Sequence, residues 1–115
     1  MKVIIAGSRT CAVMSQVTKA IEESGFEITC VLSGGCRGVD KMGEIWAQKL
    51  GVAYEVHKAY WNEHGKSAGP IRNQKMVDNA DALIAVWDGA SRGTRDIIER
   101  ARKKGLKAYV KRITD

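Results

Sequence analysis

The chain has 115 residues, 44% of them hydrophobic and 28% charged, with a single proline. That leaves room for one domain with a core, spanning residues 1 to 115, and excludes a disordered, collagen-like or mucin-like chain. The net charge is +6 and its placement is uneven: residues 1 to 91 hold ten Lys/Arg and ten Asp/Glu, whereas residues 92 to 115 hold nine basic residues against Asp96, Glu99 and Asp115.

Val3 to Ala6 is a short apolar run and reads as a buried strand. Residues 12 to 24 place Val13, Val17, Ala20 and Ile21 at helical spacing, and Gly25 ends that helix. Ile28 to Leu32 reads as a second strand, turned by Ser33-Gly34-Gly35. Residues 38 to 50 put Val39, Met42, Trp46 and Leu50 on one helical face, closed by Gly51. Ala53 to Val56 is a shorter strand, and residues 58 to 68 read as a long polar loop. A helix is expected from Pro70 to Asn79, a strongly buried strand from Ala82 to Trp87, a helix over 92 to 104 and a last strand over Lys107 to Arg112.

Apolar strands alternating with helices imply a doubly wound, Rossmann-like α/β domain. It has about five mostly parallel strands, with helices on both faces. In such a sheet ligands bind outside the carboxyl ends of the strands, near the switch point. Three strands there run into small-residue loops that lead to helices. The loops are Gly7-Ser8-Arg9, Ser33-Gly34-Gly35-Cys36-Arg37-Gly38-Val39-Asp40 and Asp88-Gly89-Ala90-Ser91-Arg92-Gly93-Thr94. Backbone N–H groups in such loops approach an anion closely, and a helix start adds roughly half a positive charge. Arginine adds a bidentate fork for phosphate. Three ordinary tight turns are the plainer reading. Neither the dinucleotide G-x-G-x-x-G nor the P-loop spacing is present.

The three cysteines, Cys11, Cys30 and Cys36, form no C-x-x-C and have no histidine cluster beside them. They point to a reducing, cytoplasmic setting without disulfide or zinc. No apolar run approaches the roughly 18 residues of a membrane span. The start carries neither a secretory h-region nor a myristoylation glycine, and the end carries no prenylation box. No cofactor and no metal are called for.

Val3 to Arg9 with Ser33 to Asp40 resembles the DprA/Smf proteins, which carry G-S-R after the first strand and S-G-x-A-x-G-I-D after the second. Over residues 1 to 112 the chain more closely resembles the YspA-type, cpYpsA-related branch of the SLOG superfamily. The shared marks are the three loops above, Trp61 and Gly69-Pro70-Ile71-Arg72-Asn73. The resemblance implies a Rossmann-like fold and a pocket for nucleotides or nucleotide-derived ligands. The related LOG group, nucleoside-monophosphate phosphoribohydrolases, carries P-G-G-x-G-T-x-x-E after the fourth strand. Gly93-Thr94 and Arg72 match parts of the LOG pattern, but Ile97 stands where its glutamate would be. Glu99 lies about 200° further round the helix.

The candidate ligand-binding residues are therefore Gly7, Ser8, Arg9, Ser33, Gly34, Gly35, Arg37, Gly38, Asp40, Arg72, Asn73, Trp87, Gly89, Ser91, Gly93 and Thr94. Asp40 suits a ribose hydroxyl or simply the helix dipole. Arg72 and Asn73 suit a ligand or a helix start. Asp88 is the candidate general base by position, with an Asp-Gly turn as the competing role. Trp87 suits base stacking or the core, Trp46 the core, and Trp61 stacking or a lid. His57 and His64 have no ligand cluster around them.

Three functions fit. The first is binding or sensing of a nucleotide or ADP-ribose-like ligand through the glycine loops. The second is a hydrolase that cleaves a ribose–base bond, which leaves open whether any reaction is catalysed. The third is a DprA-like nucleic-acid-binding module, suggested by the basic C-terminal segment but lacking an aromatic platform there. Homo-oligomers are expected on fold grounds, and no membrane partner is.

Overall fold

Nearly continuous apolar runs bury strands on both faces, and the computed structural model shows where each face goes. It describes residues 1–10 and 13–113. The strands are β1 (Lys2–Gly7), β2 (Cys30–Ser33), β3 (Ala53–Val56), β4 (Ala82–Trp87) and β5 (Lys107–Arg112). They form one sheet in the order β3-β2-β1-β4-β5, and every pairing is parallel. Each connection is therefore a crossover through a helix. The helices are α1 (Met14–Ser24), α2 (Val39–Leu50), the one-turn α3 (Trp61–His64), α4 (Ala68–Asp78) and α5 (Arg92–Lys104).

Side chains alternate across the sheet with period two. Val3, Ile5, Val31, Ile84 and Val86 meet Val17, Ile21, Val39 and Ala47 of α1 and α2 on one face. Ile4, Leu32, Leu83 and Ala85 meet Met76 and Val77 of α4 and Ile97, Ile98 and Ala101 of α5 on the other. The winding reverses between β1 and β4, so the carboxyl ends of these strands form the switch point.

The expected elements are present, with shifted ends. Helical structure begins at Met14, and residue 12 lies outside the described residues, as does Cys11. Strand β2 starts at Cys30 rather than Ile28, because pairing with β1 begins at Lys2 opposite Cys30. The segment expected as a loop holds α3 and a 3-10 turn at Gly65–Ser67. Helix α4 starts two residues before Pro70, still in its first turn, where a missing N–H costs nothing. Leu50, expected on the inward face of α2, is 61% exposed. The stripe that faces the sheet is Val39, Gly43 and Ala47, spaced four apart. Cys30 and Cys36 are free thiols. Among the described residues no acidic, histidine and cysteine cluster is set to hold a metal, and no helix is long and apolar enough to cross a membrane.

Gly43 sets how closely α2 approaches the sheet. A Cβ there would lie 2.9 Å from Ile5 Cγ2, and Ile5 is fully buried. In a free helix alanine is favoured over glycine by about 1 kcal/mol. Overpacking a core costs about 1–3 kcal/mol. Urea unfolding of Gly43→Ala should therefore show a net loss of about 1 kcal/mol. A net gain would show that the α2–β1 contact yields easily.

Candidate functional site

The carboxyl ends of β1, β2 and β4 converge because their loops bond to one another. A Cβ at Gly7 would strike the Val86 carbonyl oxygen, so only glycine lets β1 end against β4 here. Ser8 is buried and tied on all sides. Its N–H donates to Val86 O at 3.1 Å, its Oγ accepts from Asp88 N at 3.0 Å, and its carbonyl accepts from Val39 N at 3.2 Å. Gly38, at φ 81°, packs against the Ser8 and Arg9 backbone.

The second loop is held from beneath. Ser33 Oγ donates to Glu44 Oε2 at 2.7 Å and accepts from Gly35 N at 3.1 Å. Asp40, in the first turn of α2, accepts from Cys36 N at 3.3 Å and is 6% exposed. Burial pushes its carboxyl up to about 6, against the opposing pull of the Cys36 N–H, the Arg72 charge and the Gly7 N–H. Arg72 reaches over from α4. Its Nη1 donates to Gly34 O at 2.8 Å and its Nε to Asn73 Oδ1 at 2.9 Å. A Cβ at Gly34 would sit 2.7 Å from Arg72 Nη1 and 2.8 Å from Asp40 Oδ2. Glycine is what lets the cation and the carboxylate close over this loop.

The third loop leads into α5. Buried Asn73 donates through Nδ2 to Asp96 Oδ2 at 2.9 Å and Gly93 O at 3.3 Å, fastening the helix start to α4. Ser91, the residue before α5, makes no side-chain capping bond; its Oγ lies 3.1 Å from Thr94 Oγ1. The first turn of α5 thus presents its amino end without a capping side chain. Asp88 is occupied otherwise. Its Oδ1 accepts from Ala90 N at 2.8 Å and Ser91 N at 2.9 Å, and these bonds hold its carboxyl below the ordinary value. That is the turn role, and a carboxylate so held is a weak base.

Between the loops lies a crevice of about 50 Å³. Of the residues expected from sequence, Gly7, Arg9, Asp40, Arg72, Asn73, Ser91, Gly93 and Thr94 line it, together with Cys36. Ser8, Ser33 and Gly38 support its walls through the bonds and contacts above. Gly34 and Gly35 face an adjoining groove of about 300 Å³, which also contains Val56, Trp61, Lys41 and Lys58. Cys36 and Arg72 border both spaces. Arg37 is exposed and lines neither. Trp87, Asp88 and Gly89 are likewise outside both linings. Trp87 donates through Nε1 to Ser91 O at 3.1 Å. Glu44 and Asp96 carry no motif of their own, yet they bond Ser33 and Asn73. Glu44 stands one helical turn after Asp40, a spacing that could have revealed it. A larger groove of about 390 Å³ runs between α4 and α5, but Arg100 and Lys104 there are paired with Asp96 and Asp78.

The Asp40 carboxyl titrates at about 6 in the fold against an ordinary 3.8, so the folded state holds its proton more tightly. Its contribution to stability is present below pH 3.8 and is lost as pH rises through about 6. Asp40→Asn removes this slope. Between about pH 4 and about pH 7 the variant should gain on the parent by about 2–3 kcal/mol in urea unfolding. A difference that does not change with pH would mean that Asp40 titrates normally.

Known proteins resemble the chain in sequence and, in one case, in fold. The "Gene 61 protein" of Mycobacterium phage D29 is 35% identical over 115 residues, covering 91% of each chain. The SPbeta prophage-derived protein YoqJ of Bacillus subtilis strain 168 is 43% identical over 35 residues, 30% of this chain and 20% of that one. The solved structure of DNA processing protein A (DprA) from Streptococcus pneumoniae superposes with a TM-score of 0.77 at 20% identity. It covers 95% of this chain, which spans about half (49%) of the DprA chain, and the likeness is one of fold. The model of the YspA, cpYpsA-related SLOG family matches residues 1–64, more than half of the sequence, and the chain belongs to that family.

Proposed function

We propose that the switch-point crevice binds a phosphate group of a nucleotide or nucleotide-derived ligand, as a sensing or binding module. The observation that carries this reading is the convergence of three glycine-bearing loops and Arg72 on one small crevice, which shares Cys36 and Arg72 with a larger groove. The phosphate is assigned to the amino end of α5, at Ser91, Gly93 and Thr94, where N–H groups and the helix dipole favour an anion. Asp40 would repel a phosphate while ionised, so it suits a ribose hydroxyl. The groove beside Val56 and Trp61 is the place for a base. Trp61 is 52% exposed there, free to supply a ring face.

Gly93 provides the test. A Cβ there meets nothing within 4 Å, so Gly93→Ala leaves the fold intact while adding a methyl at the crevice rim. The measurement is thermal unfolding with nucleoside mono-, di- and triphosphates, NAD, ADP-ribose and cyclic nucleotides. A binding member at about 100 times its dissociation constant should stabilise the parent by about 2.7 kcal/mol. Gly93→Ala should melt no lower than the parent alone and lose that increment. No stabilisation by any member would end this reading.

One observation favours hydrolysis of a ribose–base bond as a second reading. Asp40 is a buried carboxyl in the crevice, poised near neutrality by burial, as a general acid or base must be. Ile97, at the LOG-type glutamate position, is a 1%-exposed core residue, and Glu99 is exposed. If base is released from nucleoside monophosphates, Asp40→Asn should lower the rate by about a hundredfold or more. Asp88→Asn should leave most of it. The reverse pattern would return the role to Asp88.

A further inference from the structure

The excess positive charge of residues 92 to 115 is not spread evenly in space. Arg100, Lys104 and Lys111 are paired with Asp96, Asp78 and Glu23. Arg102 and Lys103 lie in the last turn of α5, where the helix dipole favours cations. Arg92 and Arg95 sit in the first turn, which holds no acidic residue and where the same dipole disfavours them. Both are exposed, and among the described residues neither forms an ion pair. Arg112, at the end of β5, joins them at the carboxyl edge.

Two of these arginines, Arg95 and Arg112, are held in place. The Arg112 guanidinium lies 5.5 Å from the Trp87 ring centroid and that of Arg95 5.9 Å. Trp87 and Arg112 are register partners on adjacent strands, so both project to the same face. Gly89, at φ 87°, leaves room for the Arg112 guanidinium, which a Cβ there would strike. The nearby Asp88 spends its Oδ1 on two backbone N–H groups. Arg95 and Arg112 thus rest on an indole beside a helix start and, among the described residues, have no carboxylate within ion-pairing distance.

We infer a second phosphate site at this corner, formed by Arg95 and Arg112 on Trp87 and completed by Arg92. Trp87, Arg95 and Arg112 are outside the crevice lining, and the site stands whether or not the crevice binds phosphate. The group it takes is a phosphate presented in the open, where a planar guanidinium can grip two oxygens.

The test follows the Arg95 and Arg112 Nε–H signals by NMR while inorganic pyrophosphate is added to the full chain. The Gly7 and Cys36 amides, on the other two loops, report the crevice in the same spectra. Both arginine signals should move saturably, and added salt should weaken the effect. Arg95→Gln/Arg112→Gln should bind at least roughly tenfold more weakly, with the remaining spectrum unchanged. Arg112→Lys, which keeps the charge without the fork, should fall between and serves if the double variant does not fold. Arginine signals unmoved by pyrophosphate, or a double variant that binds like the parent, would overturn the site. Movement of the crevice amides alone would overturn it while leaving the crevice reading in place. Movement of the arginines alone would uphold it and count against the crevice. Separate titrations with ADP and with a single-stranded oligothymidylate then tell a small-molecule phosphate from a phosphodiester backbone.

Discussion

The contact between the ends of β1 and β4 is the constraint on which the carboxyl edge depends. Gly7 must be a glycine for β1 to pass the Val86 carbonyl, and Ser8 then spends its N–H, carbonyl and hydroxyl on β4, α2 and the Asp88 backbone. One buried residue thereby sets two loops and a helix start against each other. Polar groups withdrawn from water must be paired, and among the described residues no buried side-chain nitrogen or oxygen lacks a partner. The loops are irregular in backbone but not loose in bonding.

The same principle arranges the charges around the crevice. Asp40 is withdrawn from water and tolerated because N–H groups and Arg72 stand beside it. Arg72 is in turn directed by Gly34 O and Asn73, and Asn73 is bonded to Asp96 at the start of α5. A chain of bonds thus runs from the Gly34 carbonyl in the loop before α2, through Arg72 and Asn73 of α4, to Asp96 of α5, on top of a sheet whose two apolar faces are already covered. The edge beyond Trp87 is organised differently. Its Arg95 and Arg112 lie over an aromatic ring, and among the described residues neither is paired with a carboxylate.

Legibility followed the range of the forces involved. Val3 to Ala6 and Ala82 to Trp87 are readable as strands because burial on both faces demands unbroken apolar runs. Gly25 and Gly51 are readable as stops because both occupy the left-handed region that ends α1 and α2. Trp61 to Ser67 reads as loop in the sequence, since a single helical turn exposes all its residues and leaves no periodic pattern. Leu50 matches the helical spacing of an inward face yet is exposed, because α2 meets the sheet through Gly43 and Ala47, residues too small to register as a hydrophobic face. In the crevice, the glycines and Arg72 were visible as loop chemistry, whereas Asp40 and Asp88 looked alike as acids near loops.

The sequence by itself determined the parallel α/β architecture, the edge where the loops gather and the segment that holds the excess charge. These follow from local composition, hydrophobic period and glycine position, all of which act within a few residues. Only the tertiary structure decided that Asp88 is spent on its own turn while Asp40 is buried among N–H groups. It alone showed that Arg100, Lys104 and Lys111 are paired while Arg95 and Arg112 share an indole. The physical reason is that a carboxyl's protonation and an arginine's partners depend on neighbours that folding brings together from distant parts of the chain.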